Sequence, residues 1–395
     1  MLNQTMYQLG AVRSGIRELF EYGLKQAAIC GKENVFDYSL GNPSIPAPPE
    51  VNDSIVDIAR NEDTLLVHGY TSAPGYDGVR QAVADDLNRR FQAGVRPQDL
   101  FFTCGAAPAL IAVLRALAVP DSEVIAIAPF FPEYRPFAET NGHNFVVVPP
   151  DMAHFQINFD ALAQCLNPHT QAIIINSPNN PSGVVYTRQT LEKLARLLEE
   201  RSAAYGHPIY LIADEPYREL VYGGVEVPFI PTIYKNTIVC YSWSKSLSLP
   251  GERIGYVYVP EAAADSQALF AAVAGASRAC GHVCPPSLLQ RVVARCVQLP
   301  PDLKAYDENR TLLYNELTKM GYSMAKPDGA FYLFIKAPNG DADVFSDLAK
   351  KKNLLVVPGT SFGCKEYFRI CYCVSNDMIR RSLPAFQAMW DETHA

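Results

Sequence analysis

One lysine, Lys245, stands among four serines in the stretch YSWSKSLSLPGER, which spans residues 241–253. An amine acts as a nucleophile or a base when its surroundings lower its pKa. Arg253, eight residues further along the chain, carries a planar guanidinium that suits a phosphate or a carboxylate. A lone lysine is most often a solvated surface charge. Lys245 therefore predicts chemistry only if the fold brings further reactive groups to it.

Polar, aromatic and small residues follow several short apolar runs, at the points where strands are predicted to end. Ligands of open α/β sheets bind beyond the carboxyl ends of the strands, and the exposed amides of small residues that open a helix suit a phosphate. The residues at these points are Gly105, Ala106, Ala107, Phe130, Phe131, Asn180 within the segment 176–183, Asp214, Tyr217, Ser242 and Lys245. Together they predict a site for a flat, aromatic, phosphorylated cofactor.

Strands and helices are predicted to alternate over most of the chain, which would place these residues along one edge of a sheet. The predicted strands are 100–103, 123–128, 144–148, 172–176, 209–213, 237–241 and 254–259, and the clearest helices are 109–118 and 190–201. Short apolar runs separated by helices indicate a largely parallel sheet that is covered on both faces. After a predicted helix at 302–320, the strands at 329–335, 354–357 and 367–374 are more polar, which indicates a smaller α+β lobe.

The sequence thus predicts an α/β fold with a large domain, whose mostly parallel sheet is flanked by helices, and a smaller α+β domain built from both termini. A length of 395 residues exceeds the size at which one hydrophobic core stops growing. The predicted divisions are an N-terminal arm with part of the small domain at 1–45, a large cofactor-binding domain at 46–300 and the small domain at 301–395.

Charge and composition exclude several classes of function. The net charge of −7 argues against a nucleic-acid-binding protein, which would present a basic face. No apolar run reaches the ~20 residues of a membrane span, and the N-terminus lacks the basic start and apolar core of a secretory signal, so a cytoplasmic protein is expected. The seven histidines show no ligand spacing, and no metal is expected.

The ten cysteines form no C-x-x-C motif. Cys371 and Cys373 lie in a predicted strand, where alternation directs both side chains to the same face. Scattered cysteines in a chain without a secretory signal are typically buried free thiols, and that is the expectation for this chain.

Six motifs in a fixed order carry a family resemblance. They are HGYTSAPGYDGVR around Tyr70, TCGAAPAL, NSPNNPSG, ADEPY, SWSKSLSLPGERIGY and YFRICYCVS, with PDGAFYLF and VPGTSFG in agreement. Over nearly its whole length the sequence resembles the class I/II aminotransferases, which are pyridoxal-phosphate enzymes of fold type I related to aspartate aminotransferase. One departure is Ala106-Ala107 in the phosphate loop, where many relatives carry side chains that hydrogen-bond the phosphate.

The resemblance implies a role for each motif residue toward pyridoxal 5'-phosphate. Lys245 would form the Schiff base with its aldehyde and then move the proton of the substrate Cα, and Asp214 would keep the pyridine nitrogen protonated. Tyr217 would hydrogen-bond the ring hydroxyl as part of the catalytic set, and Phe131, or Phe130 in its place, would stack on the ring. The remaining implied cofactor contacts are Tyr70 from the partner subunit, Gly105, Ala106, Ala107, Asn180, Ser242 and Arg253.

The resemblance also implies how the substrate is held. Arg369 would bind the α-carboxylate as a bidentate fork, helped by Gly41 and Asn180, and the sharing of Tyr70 implies a homodimer. Arg278 lies seven residues before Pro285, a spacing similar to that of the arginine with which aspartate aminotransferases read a side-chain carboxylate across the subunit interface. The resemblance thus implies a dicarboxylic substrate, glutamate with 2-oxoglutarate, read by Arg278 with His282 nearby. A surface ion pair of Arg278 is the alternative.

The expected reaction is aminotransfer between an L-amino acid and a 2-oxo acid, through a Schiff base at Lys245 and an aminated form of the cofactor. A pyridoxal-phosphate-dependent lyase or oxidase on the same fold remains the alternative, because all three reactions require the same lysine, aspartate and arginine.

Overall fold

A computed structural model describes residues 1–11 and 15–394 of the chain. The described residues form the α-helices α1 Gln4–Ala11, α2 Gly15–Cys30, α3 Pro49–Asn61, α4 Thr64–His68, α5 Asp77–Phe91, α6 Ala106–Leu117, α7 Tyr134–Glu139, α8 Phe159–Cys165, α9 Arg188–Tyr205, α10 Ser266–Ala279, α11 Ser287–Cys296, α12 Lys304–Met320, α13 Ala342–Lys350 and α14 Asn376–His394. The strands are β1 Phe36–Asp37, β2 Leu100–Thr103, β3 Glu123–Ile127, β4 Asn144–Val148, β5 Thr170–Asn176, β6 Tyr210–Asp214, β7 Thr237–Ser242, β8 Gly255–Tyr258, β9 Tyr332–Lys336, β10 Leu354–Leu355, β11 Val357–Pro358 and β12 Tyr367–Cys371.

A seven-stranded sheet in the order β2-β8-β7-β6-β5-β3-β4 forms the large domain. The strands β4, β3, β5, β6 and β7 run parallel, whereas β8 is antiparallel to both of its neighbours. The prediction of a mostly parallel sheet is confirmed, but nothing in the apolar run 254–259 indicated the reversed direction of β8. The segment between β7 and β8 contains turns and no helix, so it cannot make the crossover that a parallel pair requires.

Both faces of this sheet are covered by helices, as its apolar strands require. Successive residues of β5 point to opposite faces, so that Ile173 and Ile175 pack with α3, α5, α9 and α11, whereas Ala172 and Ile174 pack with α6 and α10. This period of two is the one expected of a strand buried on both sides. The carboxyl ends of the parallel strands are left free at one edge of the sheet.

The small domain combines both ends of the chain. The antiparallel sheet β11-β12-β9 lies beside a short parallel pair in which Phe36 of β1 is aligned with Leu354 of β10. A third apolar cluster joins β9 and β12 to α12, α13 and α14, and it includes Tyr38 from the N-terminal segment. The predicted fold class is therefore confirmed, whereas the domain boundaries at 45/46 and 300/301 remain predictions.

Two features of the helices are the exposure of α1 and their length and polarity compared with a membrane span. The helix α1 buries none of its residues, although it carries Met6, Tyr7 and Leu9. Within the described ranges, no helix has the length and apolar character that crossing a bilayer would need.

Candidate active site

A cavity of about 560 Å³ lies at the carboxyl edge of the central sheet, where residues of the small domain and the N-terminal segment face it. Most residues predicted from the sequence line this cavity. They are Gly41, Ala106, Ala107, Phe131, Asn180, Asp214, Tyr217, Ser242, Lys245, Arg253 and Arg369. The ordinary size range of small-molecule sites, roughly 300–1,000 Å³, includes this volume.

Three neighbouring parallel strands each end in a polar residue at this edge. Asn176, Asp214 and Ser242 are the last residues of β5, β6 and β7, and Asn176 is aligned with Asp214 in the sheet register. The Asn176 side-chain amide donates to the Asp214 backbone carbonyl at 2.7 Å. The common strand direction thus brings together residues that are far apart in the sequence.

Asp214 is a buried carboxylate with one oxygen left unpartnered. The residue is 5% exposed, and the hydroxyl of Tyr134 donates to Oδ2 at 2.5 Å. Oδ1 is buried and receives no hydrogen bond. Burial raises the pKa of Asp214 from its ordinary 3.8 to about 7, although the Tyr134 hydrogen bond acts in the opposite direction. The ionised form of Asp214 is therefore stabilised only if a further hydrogen-bond donor or a positive charge lies beside it.

Lys245 presents its amine to the same cavity from the turn that follows β7. Its Nζ donates a hydrogen bond to the Gly41 carbonyl at 2.8 Å and lies 5.3 Å from the centroid of the Phe331 ring. Burial lowers the pKa of the Lys245 amine below its ordinary value. A larger fraction of neutral amine is what a nucleophile or general base requires.

The N-terminus of α6 and the side chain of Arg253 form an anion-binding corner. Gly105 immediately precedes α6 with a φ of 99°, and a Cβ atom there would lie 2.7 Å from Nη2 of Arg253. Only glycine allows the guanidinium to approach this closely. The Ser242 hydroxyl, 3.2 Å from the Ser244 hydroxyl, faces the same cavity. Free amides, a helix dipole, a hydroxyl and a guanidinium together suit a phosphate.

Arg369 lies on β12, the middle strand of the small sheet. It is buried, with 2% of its surface exposed. It donates from Nη1 to Oδ1 of Asn180 at 3.0 Å and from Nη2 to the Ser39 carbonyl at 2.6 Å. Its Nε is buried without a partner, and no carboxylate of the described residues forms an ion pair with it. A buried guanidinium held by neutral acceptors is positioned to bind the carboxylate of a ligand.

Aromatic side chains complete the walls of the cavity. The hydroxyls of Tyr217 and Tyr332 lie 2.8 Å apart, and a Cβ on Gly41 would lie 2.2 Å from the Tyr332 hydroxyl oxygen. Phe131 lines the cavity, whereas Phe130 is buried in the core with its ring centroid 5.4 Å from that of Phe145. Of the two phenylalanines considered from the sequence, Phe131 is thus the one that faces the cavity.

Two predicted site residues lie away from the cavity of their own chain. Tyr70 is 94% exposed, and Arg278 is exposed near the end of α10. Neither contributes to the cavity wall. Their predicted roles require a partner subunit and remain predictions.

The structure also places residues at the site that the sequence reasoning missed. The most distinctive are Arg17 and Phe20 of α2 and Glu133 near Phe131, all of which line the cavity. Tyr332 lines it as well; its motif PDGAFYLF agrees with the family resemblance but implied no role for this residue. Nothing in the sequence of the N-terminal segment indicated Arg17, because α2 reaches the cavity only through tertiary packing.

Comparisons with known proteins agree with this geometry. The family model for aminotransferase class I and II matches residues 33–386. Aspartate aminotransferase of Thermotoga maritima is 28% identical over 376 residues, which cover 93% of this chain and 95% of the relative. Aromatic-amino-acid aminotransferase 2 of Thermococcus litoralis is 27% identical over 396 residues, with 96% of each chain covered. The crystal structure of an amino transferase from Eubacterium rectale is 52% identical, covers 100% of both chains and superposes with a TM-score of 0.98.

Proposed function

The chain belongs to the class I and II aminotransferases and transfers an amino group between an amino acid and a 2-oxo acid, and on that premise we propose its cofactor, its catalytic residues and its substrate class. The cofactor is pyridoxal 5'-phosphate, Lys245 holds it covalently, and at least one substrate is dicarboxylic. The names of the relatives support aminotransfer rather than the lyase and oxidase reactions considered from the sequence.

The single observation that carries the cofactor proposal is the unpartnered oxygen of Asp214. Oδ1 is buried and lacks a donor, at the end of the strand beside the one that leads to Lys245. A protonated pyridine nitrogen is both a donor and a positive charge, so it would satisfy this oxygen and favour the ionised carboxylate. The corner formed by Gly105, Ser242 and Arg253 suits the phosphate, and Phe131 and Tyr217 suit the faces and the hydroxyl of the ring.

Residues of this chain would move the proton and hold the substrate. Pyridoxal phosphate, when bound, supplies a conjugated ring that withdraws electrons from the substrate Cα. The Lys245 amine would remove the proton from the substrate Cα and return it. The Gly41 carbonyl, 2.8 Å from the Lys245 Nζ, would orient this amine. Arg369 would hold the substrate α-carboxylate, and Asn180 fixes the direction of the guanidinium.

A dicarboxylic substrate is supported by a positive charge at the cavity that neither the phosphate nor the α-carboxylate uses. Once a phosphate and an α-carboxylate are bound by Arg253 and Arg369, Arg17 still faces the cavity and forms no ion pair within the described residues. Arg278 of the partner subunit is the other candidate for binding the side-chain carboxylate. Relatives named aspartate aminotransferase act on a dicarboxylic amino acid, and we propose glutamate with 2-oxoglutarate as a substrate pair.

A homodimer with shared sites is proposed from the exposed residues. Tyr70 and its apolar neighbours Leu65 and Leu66 are 94%, 79% and 62% exposed, and α1 buries nothing within its own chain. A partner subunit would cover such apolar surface and bring Tyr70 to the neighbouring phosphate corner.

Borohydride reduction of the enzyme tests the role of Lys245. The reduced enzyme should carry the cofactor on Lys245 alone, as shown by peptide mapping, because reduction converts the bond to a stable amine. Lys245→Ala should lose the covalent cofactor and nearly all transfer of amino groups from an amino acid panel to 2-oxoglutarate. The matched control is Lys319→Ala, which removes a surface lysine paired with Glu316. A tag on another lysine would contradict the proposal, and release of ammonia or peroxide in place of amino transfer would favour a lyase or an oxidase.

A further inference from the structure

Two buried thiols lie close to Lys245 and have no part in the proposed aminotransfer. Cys371 ends β12, and Cys373 follows two residues later, so alternation directs both side chains to one face. Their Sγ atoms are 2.6 Å apart, closer than the sum of two sulfur van der Waals radii. Both residues are buried and neither belongs to a disulfide.

The electrostatic surroundings make the two thiols unequal. Burial raises the pKa of Cys371, but the hydrogen bond with Cys373 and the charges of Arg369 and Lys245 outweigh it, so that the pKa lies below its ordinary value. Burial raises the pKa of Cys373 well above its ordinary value. A thiol with thiolate character next to a protonated thiol is the pair that oxidation to a disulfide requires.

The same two residues are attached to parts of the active site. Cys371 lies two residues after Arg369 on β12. The Sγ of Cys373 is 4.0 Å from the carbonyl oxygen of Leu40, and the next residue, Gly41, accepts the hydrogen bond of Lys245. Leu40 and Lys245 both line the cavity, whereas neither cysteine does, so the thiols lie behind the cavity wall and a small oxidant must pass the Leu40 segment to reach them.

We propose that Cys371 and Cys373 are a redox modification site, at which a hydroperoxide forms a reversible intramolecular disulfide that inhibits the enzyme. The Cys371 thiolate attacks one peroxide oxygen, the O–O bond breaks, and the leaving oxygen takes a proton as an alcohol or water. The resulting sulfenic acid is attacked by the Cys373 sulfur, which forms the S–S bond and releases water. Two thiols and one hydroperoxide thus give one disulfide, one alcohol and one water, and a dithiol reverses the oxidation by exchange.

Chain geometry makes this disulfide easy to reduce again. Residues two apart in an extended strand have Cα atoms about 6.6 Å apart, near the upper limit of ~6.8 Å for a disulfide. A disulfide with the usual Cα separation of roughly 5.5–6 Å therefore draws the backbone at 371–373 together, and we expect this to displace the Arg369 strand and the Leu40–Gly41 segment. Strained disulfides are the readily reduced, regulatory ones. The inhibitory effect rests on the proposed roles of Lys245 and Arg369, whereas formation of the bond does not.

Peptide mapping of the holoenzyme tests the bond independently of activity. The reduced enzyme, freed of excess thiol, is treated with hydrogen peroxide, alkylated and digested with trypsin. One tryptic peptide, residues 370–380, contains both cysteines and no other. In the oxidised enzyme this peptide should resist alkylation and weigh two hydrogen atoms less than its unmodified form. The kcat/KM should fall about a hundredfold, as for a catalytic group misplaced by about 1 Å, and dithiothreitol should restore both.

Single variants separate the two thiols. Cys371→Ser should resist peroxide, whereas Cys373→Ser should accumulate a dimedone-reactive sulfenic acid at Cys371, since no resolving thiol remains. The control Cys280→Ser removes a more accessible cysteine near the end of α10 and should behave as the parent does. A peptide 370–380 with both thiols alkylated after peroxide treatment overturns the proposal, even if the serine variants fold poorly. A disulfide that leaves kcat/KM unchanged overturns its inhibitory role without touching the assignment of Lys245.

Discussion

Replacing Asp214 by Asn removes a charge from the centre of the site while it preserves the size of the side chain and an oxygen that accepts from Tyr134. In the cofactor-free protein, burial raises the pKa of Asp214 from 3.8 to about 7. Because the folded-state pKa lies above the unfolded value, the contribution of this group to stability is fully present below about pH 4 and is lost as the pH rises through about 7. The two pKa values differ by about three pH units, and at about 1.4 kcal/mol per unit this contribution to the free energy of unfolding is about 4 kcal/mol.

The expected change in thermal stability follows from the size of the chain. An unfolding entropy of about 2.1 cal/mol/K per residue gives about 0.8 kcal/mol/K for 395 residues. Between about pH 5 and about pH 8, Asp214 loses about two of the three pH units that separate its unfolded and folded pKa values. This corresponds to a loss of about 3 kcal/mol in the free energy of unfolding. The unfolding midpoint of the cofactor-free parent should therefore fall by about 3 °C more than that of Asp214→Asn over this interval.

Differential scanning calorimetry of the cofactor-free proteins at one protein concentration measures this difference. The matched control is Asp53→Asn on α3, which changes an exposed aspartate without an ion pair in the described part of the chain and should follow the parent. With pyridoxal phosphate bound, the difference between the parent and Asp214→Asn should become smaller, because a protonated ring favours the ionised carboxylate. Equal pH dependence of the cofactor-free parent and Asp214→Asn would refute the assignment of a raised pKa to Asp214.

The other predictions concern the subunit interface and the substrate. Mixing inactive Tyr70→Ala and Lys245→Ala chains should restore activity, since one site of each mixed dimer holds both intact residues; no recovery despite measured subunit exchange contradicts sharing of Tyr70. Arg278→Leu and Arg17→Leu, assayed side by side, should distinguish the two candidates for binding a side-chain carboxylate. Loss of a charge-assisted contact of roughly 1.5–3 kcal/mol should lower kcat/KM for glutamate by ~10–150-fold in one variant. An equal effect on glutamate and on a neutral amino acid counts against either arginine. Arg369→Lys should raise KM for both substrate types, as steady-state kinetics would show.

The central strands were predictable because they bury both faces. The runs 100–103 and 144–148 were predicted with the same bounds that β2 and β4 have, and an apolar run of this length has few other stable conformations in an α/β chain. The neighbour with which each strand pairs, and the direction in which it runs, were less predictable from the sequence. The run 354–357 was predicted as one strand, yet Leu354–Leu355 pairs with β1 and Val357–Pro358 with β12, since a change of neighbour leaves no mark in the apolar pattern.

The candidate site was predictable where a residue ends a strand. Asp214 and Ser242 could be placed at one edge of the sheet because parallel strands direct their carboxyl ends to the same side. Tyr134 and Arg17 could not be placed in this way. Tyr134 reaches Asp214 from a short helix 80 positions away in sequence, and Arg17 reaches the cavity from α2, so both depend on how helices pack against the sheet.

The unpartnered atoms of the site imply that its ligands stabilise the fold. Asp214 Oδ1 and Arg369 Nε are both buried without a hydrogen bond, and an unsatisfied buried polar group costs about 1–3 kcal/mol. Two such groups amount to about 2–6 kcal/mol, a substantial part of the ~5–15 kcal/mol that stabilises a typical native chain. A cofactor that donates to Asp214 and a carboxylate that accepts from Arg369 would each remove one of these costs. Because such ligands bind the folded chain alone, their binding raises its stability. The two increments should be coupled rather than additive, because Arg369 donates to Asn180, Asn180 donates to Asn176, and Asn176 donates to the Asp214 carbonyl, and groups in one hydrogen-bond network influence each other.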